Sequence, residues 1–242
     1  MQLARIVSVW KRPEDPNYRN TVARLPAYEG MSTSAKRALA LMSRDESFSG
    51  NADPSILSLL DALISGNDRT DVLQLGTLIG FSTIFLAASL ERVRAATGAG
   101  VRLDTVDCAP SAHEKARMYL KIARLHSAVR FFDGFSTDEK VLKELDGRKY
   151  DLIFVDSSHN YSATLREIEL YWPKLKGGGY IVFHDAGSAA AAYDPRGEGG
   201  VGRAIKEWLA RAPVDLHSHM LLEPPYWANP CGVFWAIKAS RA

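Results

Sequence analysis

The sequence has little of what marks secreted, membrane and nucleic-acid-binding proteins. It holds two cysteines in 242 residues, Cys108 and Cys231, and neither belongs to a C-x-x-C pattern. Two reduced thiols are the simplest interpretation, while a disulfide between them stays open at this point. No apolar run reaches the roughly 18 residues that a membrane span needs, and residues 1–7 lack the apolar region of a signal peptide. The net charge of +2 is too small to indicate the concentrated basic face of a nucleic-acid-binding protein. We therefore expect a soluble cytoplasmic protein without nucleic-acid or membrane partners.

The length and composition suit one α/β domain with some additional structure. Hydrophobic residues make up 46% of the chain and charged residues 24%, which is ordinary for a globular protein. Three prolines before residue 27 interrupt any long element, and an alanine- and leucine-rich stretch predicts a short helix over residues 34–43. Asp53 and Pro54 predict the start of another helix, which Gly66 ends. We expect residues 1–52 to be an N-terminal extension, partly helical and partly irregular, that covers the substrate side of a domain over residues 53–242.

From residue 71 the pattern alternates between short apolar strands and helices. Predicted strands cover residues 72–75, 101–106, 129–132, 150–155, 179–183, 215–222 and 232–239. Predicted helices cover residues 82–94, 112–125, 140–145, 161–175 and 201–212. Strand–helix units in this order predict a parallel sheet with right-handed crossovers. No helix separates the last two strands, so the last one is expected to run antiparallel. The fold class is therefore α/β, with a doubly wound, mostly parallel, Rossmann-like sheet of seven strands.

A glycine-rich turn follows the first predicted strand. In open α/β sheets, ligands bind at the carboxyl ends of the strands near the point where the strand order reverses. Gly76 and Gly80 allow a tight turn close to a ligand, and Ser82 adds a hydroxyl at the start of the next helix. The turn suits a carboxylate, although a glycine pair also occurs at such turns for structural reasons. It is neither a G-x-G-x-x-G motif nor a Walker loop.

Carboxylates end the next two predicted strands. Asp107 follows the second strand, where an acid can accept hydrogen bonds from a ribose diol. The alternative is that Asp107 only caps the following helix. Asp133 follows the third strand, and residues 133–136 either border an adenine ring or form a simple turn.

Acids and histidines follow the fourth and fifth predicted strands. Asp156, His184 and Asp185 have the ligand types of a divalent cation, and a polar site without metal is the alternative. An imidazole exchanges protons near neutral pH, so His159 suits the role of a general base. Residues 186–200 form either a segment that covers substrate or a plain surface loop.

The order of these motifs resembles the class I S-adenosylmethionine-dependent methyltransferases. It is most similar to the O-methyltransferases of the catechol and caffeoyl-coenzyme A type and their small bacterial relatives, over roughly residues 71–185. The group shows G-T-x-x-G-x-S after the first strand, which here is residues 76–82. The corresponding residues after the fourth strand are Val155, Asp156, His159 and Tyr161, and before and at the end of the fifth they are Gly178, Gly179, His184 and Asp185.

The resemblance implies S-adenosylmethionine as the cofactor and assigns the site residues. The implied cofactor-binding residues are Gly76, Thr77, Gly80, Ser82, Asp107, Asp133, Gly134, Phe135 and Asp156. The implied catalytic residues are His159, as the base, and Asp156. A divalent cation such as Mg is implied on Asp156, His184 and Asp185.

Three residues depart from the pattern of the group. Gln74 stands where an acid is usual, His184 stands where aspartate is usual, and His159 stands where the plant and animal enzymes use lysine. An imidazole at position 184 favours a hard cation such as magnesium less than a carboxylate would. The assignment of His159 as the base therefore depends on its position and not on its identity.

The expected activity is methyl transfer to a hydroxyl of a small-molecule acceptor, and sugars, phenols and natural-product hydroxyls all fit. Aromatic residues near the C-terminus make a homodimer an expectation. One alternative is a nicotinamide-dependent oxidoreductase, against which the missing G-x-G-x-x-G motif counts. Another is a cofactor-binding or hydroxylase-like protein that keeps the fold without methyl transfer. Residues 224–226, Pro-Pro-Tyr, are similar to a motif of nitrogen methyltransferases, but those carry it after the fourth strand, so we interpret it here as a loop.

Overall fold

The computed structural model describes residues 22–48, 52, 54–211, 214–222 and 231–240. Its α-helices are α1 (Pro26–Glu29), α2 (Thr33–Met42), α3 (Pro54–Ser65), α4 (Phe81–Thr97), α5 (Pro110–Ala123), α6 (Glu139–Glu144), α7 (Tyr161–Tyr171) and α8 (Gly200–Ala210). Its strands are β1 (Asp71–Leu75), β2 (Arg102–Asp107), β3 (Val129–Asp133), β4 (Tyr150–Val155), β5 (Leu175–His184), β6 (Leu216–Leu222) and β7 (Val233–Lys238). Short 3-10 helices cover His126–Ala128, Trp172–Lys174 and Ser188–Tyr193.

The strands form one sheet in the order β3-β2-β1-β4-β5-β7-β6. The first five strands are parallel to one another, and β7 runs antiparallel to both β5 and β6. The predicted seven-stranded, doubly wound α/β fold with an antiparallel last strand is confirmed. Because β2 and β4 lie on opposite sides of β1, the strand order reverses there, and the turn after β1 opens at the switch point.

Two apolar layers cover the two faces of the sheet. Successive residues of a strand point to opposite faces, so Val72 packs with α4 residues such as Phe85, while Leu73 packs with α7 residues such as Ile168. Strand β4 is buried along its whole length. This is the continuous apolar run expected of a parallel strand that is covered on both sides.

The described part of the N-terminal extension packs onto the layer that contains α4 and α5. In α2, Leu39 and Met42 are buried in the same apolar cluster as residues of those helices. Beyond α2, the carboxylate of Asp45 accepts hydrogen bonds from Lys115 over 2.7 Å and from Tyr119 over 2.9 Å. The extension is therefore attached to α5, and its role as a cap on the substrate side stays a prediction.

Two predicted element boundaries differ from the structure by four residues. The predicted helix over residues 161–175 ends as an α-helix at Tyr171 and continues as a 3-10 turn that contains Pro173, which has no N–H to donate. Strand β5 begins at Leu175 and not at residue 179, because Leu175 already pairs with Tyr150 of β4. The predicted cap at Asp53 and the Pro-Pro-Tyr tripeptide lie outside the described residues.

Cys108 is exposed and Cys231 is buried, and no disulfide joins them, which settles the alternative that the sequence left open. Among the described helices, none combines the length and the apolar composition that crossing a membrane requires.

Candidate active site

The carboxyl ends of the parallel strands meet in one rim, and backbone hydrogen bonds continue past the strands. Gly76 N–H donates to Val106 O over 2.9 Å, and Asp156 N–H donates to Leu75 O over 2.8 Å. Gly134 N–H donates in the same way to the carbonyl of the residue that ends β2, over 3.0 Å. The segments that follow β3, β2, β1 and β4 are therefore fixed side by side. Every residue singled out after these strands lies on this rim or directly beneath it.

The turn after β1 requires its glycines. A Cβ atom on Gly76 would lie 1.9 Å from the carbonyl oxygen of Asp156. Gly76 has φ +93° and Gly80 has φ +92°, a region that glycine adopts without steric cost. A Cβ on Gly80 would also lie 2.9 Å from the Cβ of Ala116. The turn thus passes under the end of β4 and against α5, in a position where no larger residue fits.

Gln74, which is fully buried, organises this turn from below. Its Nε2 donates to Gly76 O over 2.8 Å and to Ser82 Oγ over 2.9 Å, and its Oε1 accepts from Thr83 Oγ1 over 2.8 Å. A carboxylate at this position has no hydrogen to donate to a carbonyl oxygen. The departure from the usual acid therefore has a structural reason, and the role of Gln74 was missed in the sequence. The available signal was a single polar residue inside a buried strand.

Asp107 joins the turn after β1 to the segment after β2. Its Oδ2 accepts the backbone N–H groups of Thr77 over 2.9 Å and Leu78 over 2.8 Å, and its Oδ1 accepts that of Ala109 over 2.8 Å. Ala109 occupies the N-cap position of α5 and makes no side-chain cap bond. Asp107 therefore supports both turns, and its bond to a ribose diol stays a prediction.

Thr77 points into the protein and connects to a buried histidine. Its Oγ1 lies 2.6 Å from Thr105 Oγ1 and 3.1 Å from Nε2 of His113. His113 donates through Nδ1 to Asp133 Oδ1 over 2.5 Å. The side chain of Thr77 is thus directed inward, and its predicted contact with the cofactor stays a prediction. His113 was missed, because a lone histidine in a helix gives no sequence pattern that marks it.

The segment after β3 is the exposed end of the rim. The side chain of Asp133 is half-exposed, and the hydrogen bond from His113, opposed by partial burial, lowers its pKa. Phe135 is 63% exposed, which is unusual for a large apolar ring and suits a surface that a flat ligand covers. Gly134, with φ +149°, lies between them. The predicted adenine border at residues 133–136 is thus open to solvent and stays a prediction.

A chain of acids and histidines links the ends of β4 and β5. Asp185 Oδ2 accepts from His159 Nδ1 over 2.7 Å and lies 3.1 Å from His184 Nδ1. His184 Nδ1 also lies 3.0 Å from Asp156 Oδ1. His184 and Asp185 are buried, and Asp156 is nearly so. The structure therefore brings together all four residues that the sequence singled out after these strands.

The charges in this chain support one another. Burial alone would raise the pKa of Asp185, but the charge on His184 and the hydrogen bonds from His159 and His184 outweigh it and hold that pKa well below its usual range. Burial would likewise lower the pKa of His184, but Asp185 and Asp156 outweigh it and raise that pKa well above its usual value. Asp185 also has φ +55°, which is uncommon for a residue with a side chain and clusters at functional sites.

The donor set of Asp156, His184 and Asp185 is compact enough for one cation. One ligand atom from each residue can be chosen so that all three lie within 4.8 Å of one another. Asp185 Oδ1 is buried and has no hydrogen-bond partner among the described residues. A buried acceptor without a donor has a desolvation cost that a cation would remove. The residues therefore fit a divalent cation, and its presence stays a prediction.

The segment after β5 is ordered around Asp194. This buried carboxylate accepts the backbone N–H groups of Arg196 over 2.9 Å, Glu198 over 3.0 Å and Gly200 over 2.9 Å. The ring of Tyr193 meets the ring of His159 edge to face, with 6.3 Å between centroids. The loop over residues 186–200 is thus a structured wall beside His159, which suits the predicted cover over a substrate.

Glu167 of α7 is a buried carboxyl that the sequence did not reveal. Its Oε1 accepts hydrogen bonds from Ser136, after β3, and from Ser157, after β4, the latter over 2.5 Å. Burial raises its pKa to about 7, and the two serine hydroxyls oppose that shift. In a helix, one glutamate among other charged residues looks like a surface residue, so only the tertiary structure identifies it.

Comparison with known proteins finds a family model that matches the central part of the chain. Residues 73–186 match a family model described as a methyltransferase domain. The uncharacterized protein R132 of Acanthamoeba polyphaga mimivirus is 34% identical over 61 residues, which cover 24% of this chain and 28% of that protein. The chain thus matches only about a quarter of the length of that relative.

Solved structures show the same fold over most of the chain. An O-methyltransferase from Bacillus cereus in complex with SAH superposes with a TM-score of 0.69 at 20% identity, covering 86% of this chain and 91% of that one. Cofactor-bound Rv0187 from MTB gives 0.72 at 22% identity, covering 96% and 100%. The O-methyltransferase TomG from Streptomyces achromogenes, in complex with SAM, gives 0.69 at 21% identity, covering 86% and 91%. Residues 73–186 therefore match a methyltransferase domain, and the solved structures show that the chain has the Rossmann-like fold of these methyltransferases.

Proposed function

We propose that the protein transfers the methyl group of S-adenosylmethionine to a hydroxyl oxygen of a small-molecule acceptor, with His159 as the general base. The observation that carries this proposal is the hydrogen bond from His159 Nδ1 to Asp185 Oδ2, over 2.7 Å. A carboxylate on Nδ1 fixes the tautomer that has its lone pair on Nε2, the atom that then accepts a proton. The match to a methyltransferase model counts against the nicotinamide-dependent alternative.

The cofactor is proposed to lie along the rim from the turn after β1 to the segment after β3. Gly76, Gly80 and Ser82 would hold its methionine end, Asp107 its ribose and residues 133–135 its adenine. The close approach of Gly76 to Asp156 supports this position, because it leaves the backbone of the turn without a side chain beside the acid that follows β4. The sulfonium would then face the side of the rim on which His159 lies.

The methyl transfer needs three participants, which are the acceptor, S-adenosylmethionine and His159. The acceptor hydroxyl loses its proton to His159 Nε2, and an oxygen lone pair forms a bond to the methyl carbon. The carbon–sulfur bond breaks and its electron pair returns to sulfur, which leaves S-adenosylhomocysteine. Asp185 stabilises the imidazolium that His159 becomes, and the wall of residues 186–200 beside it excludes water.

A divalent cation on Asp156, His184 and Asp185 is part of the proposal. When bound, a cation there would lower the pKa of the acceptor hydroxyl. Titration calorimetry with Mg²⁺ and with Mn²⁺ tests the site without any turnover. We expect one ion per chain and at least about ten-fold weaker binding in Asp156→Asn. Equal, unspecific heats in both proteins would contradict the metal site and leave the role of His159 intact.

The activity itself is tested with methyl-labelled S-adenosylmethionine and a panel of phenols, sugars and natural-product hydroxyl compounds. We expect label on oxygen, and His159→Ala should lower turnover by about 10²- to 10⁴-fold while S-adenosylhomocysteine binding changes less than about two-fold. His126→Ala is the matched control, because His126 is an exposed histidine on the 3-10 helix before β3. Binding of S-adenosylmethionine without turnover of any acceptor would favour the non-methylating alternative.

The location, the partners and the oligomeric state of the protein are also proposals. We propose a cytoplasmic protein with a small-molecule acceptor and no nucleic-acid or membrane partner, and a homodimer in solution. Sedimentation equilibrium tests the dimer directly, since a monomer has a mass of 26.7 kDa.

A further inference from the structure

Glu167 holds together two segments of the rim that belong to different strands. It lies in the second turn of α7, and only 1% of the residue is exposed. Its Oε1 is the common acceptor for the hydroxyl of Ser136 and the hydroxyl of Ser157. Ser136 follows β3, at the edge of the sheet, while Ser157 follows β4, and β2 and β1 lie between these two strands. One oxygen atom therefore fixes the distance between these two segments.

A second bond from α7 acts on the same segment. Tyr171 OH donates to the backbone carbonyl of Ser136 over 2.6 Å. Glu167 and Tyr171 stand one helical turn apart and thus face the same side of α7. The segment after β3 is attached to α7 through both the side chain and the carbonyl of Ser136. It carries the half-exposed Asp133 and the exposed Phe135 next to this attachment.

The environment of Glu167 is costly for a carboxyl group. Glu167 Oε2 is buried and has no hydrogen-bond partner among the described residues. Burial raises the pKa of this group to about 7, and the two serine hydroxyls and the charge of His159 act against that shift. An apolar residue would fill the same volume without this cost. A carboxyl kept there is typical of a group with a role beyond packing.

We propose that Glu167 is a positioning residue for the cofactor, which sets the spacing between the segment after β3 and the segment after β4 through Ser136 and Ser157. This inference rests on the cofactor position proposed above, in which the segment after β3 borders the adenine and the segment after β4 lies beside the turn that holds the methionine end. Loss of the shared acceptor frees both serines and lets the segments separate. The cofactor then binds less tightly, because it must restore their spacing when it binds.

The test is the affinity for S-adenosylhomocysteine, measured by titration calorimetry on the full chain. We expect Glu167→Ala to weaken binding on the order of ten-fold, and Glu167→Gln to stay within about two-fold of the wild type. The amide oxygen of glutamine can accept the hydrogen bonds of both serine hydroxyls. Wild-type affinity in Glu167→Gln would therefore show that the shared acceptor matters and that the negative charge does not. Glu169→Ala is the matched control, because Glu169 is exposed on the same helix and pairs only with Arg166 and Arg211 among the described residues.

A second variant keeps the test decisive if Glu167→Ala does not fold. The double variant Ser136→Ala with Ser157→Ala leaves Glu167 in place and should weaken binding by the same factor. Unchanged affinity in a folded Glu167→Ala, or in the double serine variant, would overturn the inference. Failure of oxygen methylation would not affect this measurement, because binding of S-adenosylhomocysteine requires neither an acceptor nor His159.

Discussion

Asp185 presents one carboxylate oxygen to two histidines, with His159 Nδ1 at 2.7 Å and His184 Nδ1 at 3.1 Å. The first contact orients a ring at the mouth of the site, and the second anchors the carboxylate to a histidine that is fully enclosed by the sheet and its neighbours. Because the two acids on either side of His184 stabilise its charge, Asp185 stays ionised and keeps its affinity for the hydrogen of His159. The orientation of the proposed base therefore depends on Asp185.

The variant Asp185→Asn tests this dependence. The amide of asparagine can present an N–H to His159, which favours the tautomer with the lone pair on the wrong nitrogen. We expect turnover to fall about 10²-fold or more, with little change in the affinity for S-adenosylhomocysteine. The measurement is product formation at saturating cofactor beside calorimetric binding. Asp146→Asn, at an exposed position after α6, is the control. Turnover within about two-fold of the wild type would show that Asp185 does not orient the base.

Gly76 should tolerate no side chain, because of its backbone conformation and because a Cβ atom there would collide with the carbonyl oxygen of Asp156. Gly98 has a similar positive φ of +74°, but a Cβ there would meet nothing within 4 Å. We expect Gly98→Ala to cost about 1 kcal/mol in the free energy of unfolding, which is the cost of the left-handed conformation. Gly76→Ala has the same conformational cost and must also displace the carbonyl of Asp156, so we expect a loss of about 3 kcal/mol or more.

Urea unfolding and calorimetry measure both glycine variants. Gly98→Ala should bind S-adenosylhomocysteine like the wild type, whereas Gly76→Ala should show no measurable binding. Equal unfolding free energies for the two variants would mean that the close approach to Asp156 does not constrain the turn.

The sequence predicts the fold well because the relevant patterns are local. Strand β4 over residues 150–155 was predicted with the boundaries that the structure has, since a continuous apolar run between a turn and an acid is unambiguous. The missing helix before the last strand was enough to predict the antiparallel direction of β7. Boundaries failed where long-range pairing decides them, as at Leu175, which is drawn into β5 by Tyr150 of β4.

The site was predictable to the extent that its residues directly follow strands. Asp156, His159, His184 and Asp185 were brought together as expected, because the carboxyl ends of neighbouring parallel strands share one edge. Residues that support the site from inside were missed. His113 and Glu167 lie on helices and reach the rim from below. Their partners come from other elements, so spacing along the chain contains no trace of these contacts.

Gln74 offers a test of the departure from the family pattern. Glutamate at this position would place an acceptor where Nε2 now donates to Gly76 O and Ser82 Oγ. We expect Gln74→Glu to destabilise the fold by about 1 to 3 kcal/mol, because a donor to a buried carbonyl is lost. Unfolding in urea measures the loss, and Gln74→Met, which has a similar volume and no polar atoms, separates the lost bond from the added acid. A glutamate variant as stable as the wild type would show that the acid of the family fits this chain equally well.

The raised pKa of Glu167 makes stability depend on pH in a definite direction. The pKa is about 7 in the folded protein and 4.5 ordinarily, because burial disfavours the charged form. The neutral carboxyl therefore favours folding below pH 4.5, and this contribution is lost as the pH rises through about 7. Glu167→Gln has no charge to bury. We thus expect the wild type to lose about 3 kcal/mol relative to Glu167→Gln between pH 4.5 and pH 8.

Urea unfolding of both proteins at pH 4.5 and pH 8 measures this difference. The groups that face Glu167 are Ser136, Ser157, His159 and Tyr171, and the charge of His159 acts on the pKa of Glu167. His159→Gln in both backgrounds therefore removes its contribution, and the difference between wild type and Glu167→Gln should remain. Glu169→Gln should follow the wild type at both pH values, because Glu169 is exposed. If the free energy of unfolding depends on pH in the same way in the wild type and in Glu167→Gln, Glu167 ionises in the folded protein without cost. Its burial would then not raise its pKa.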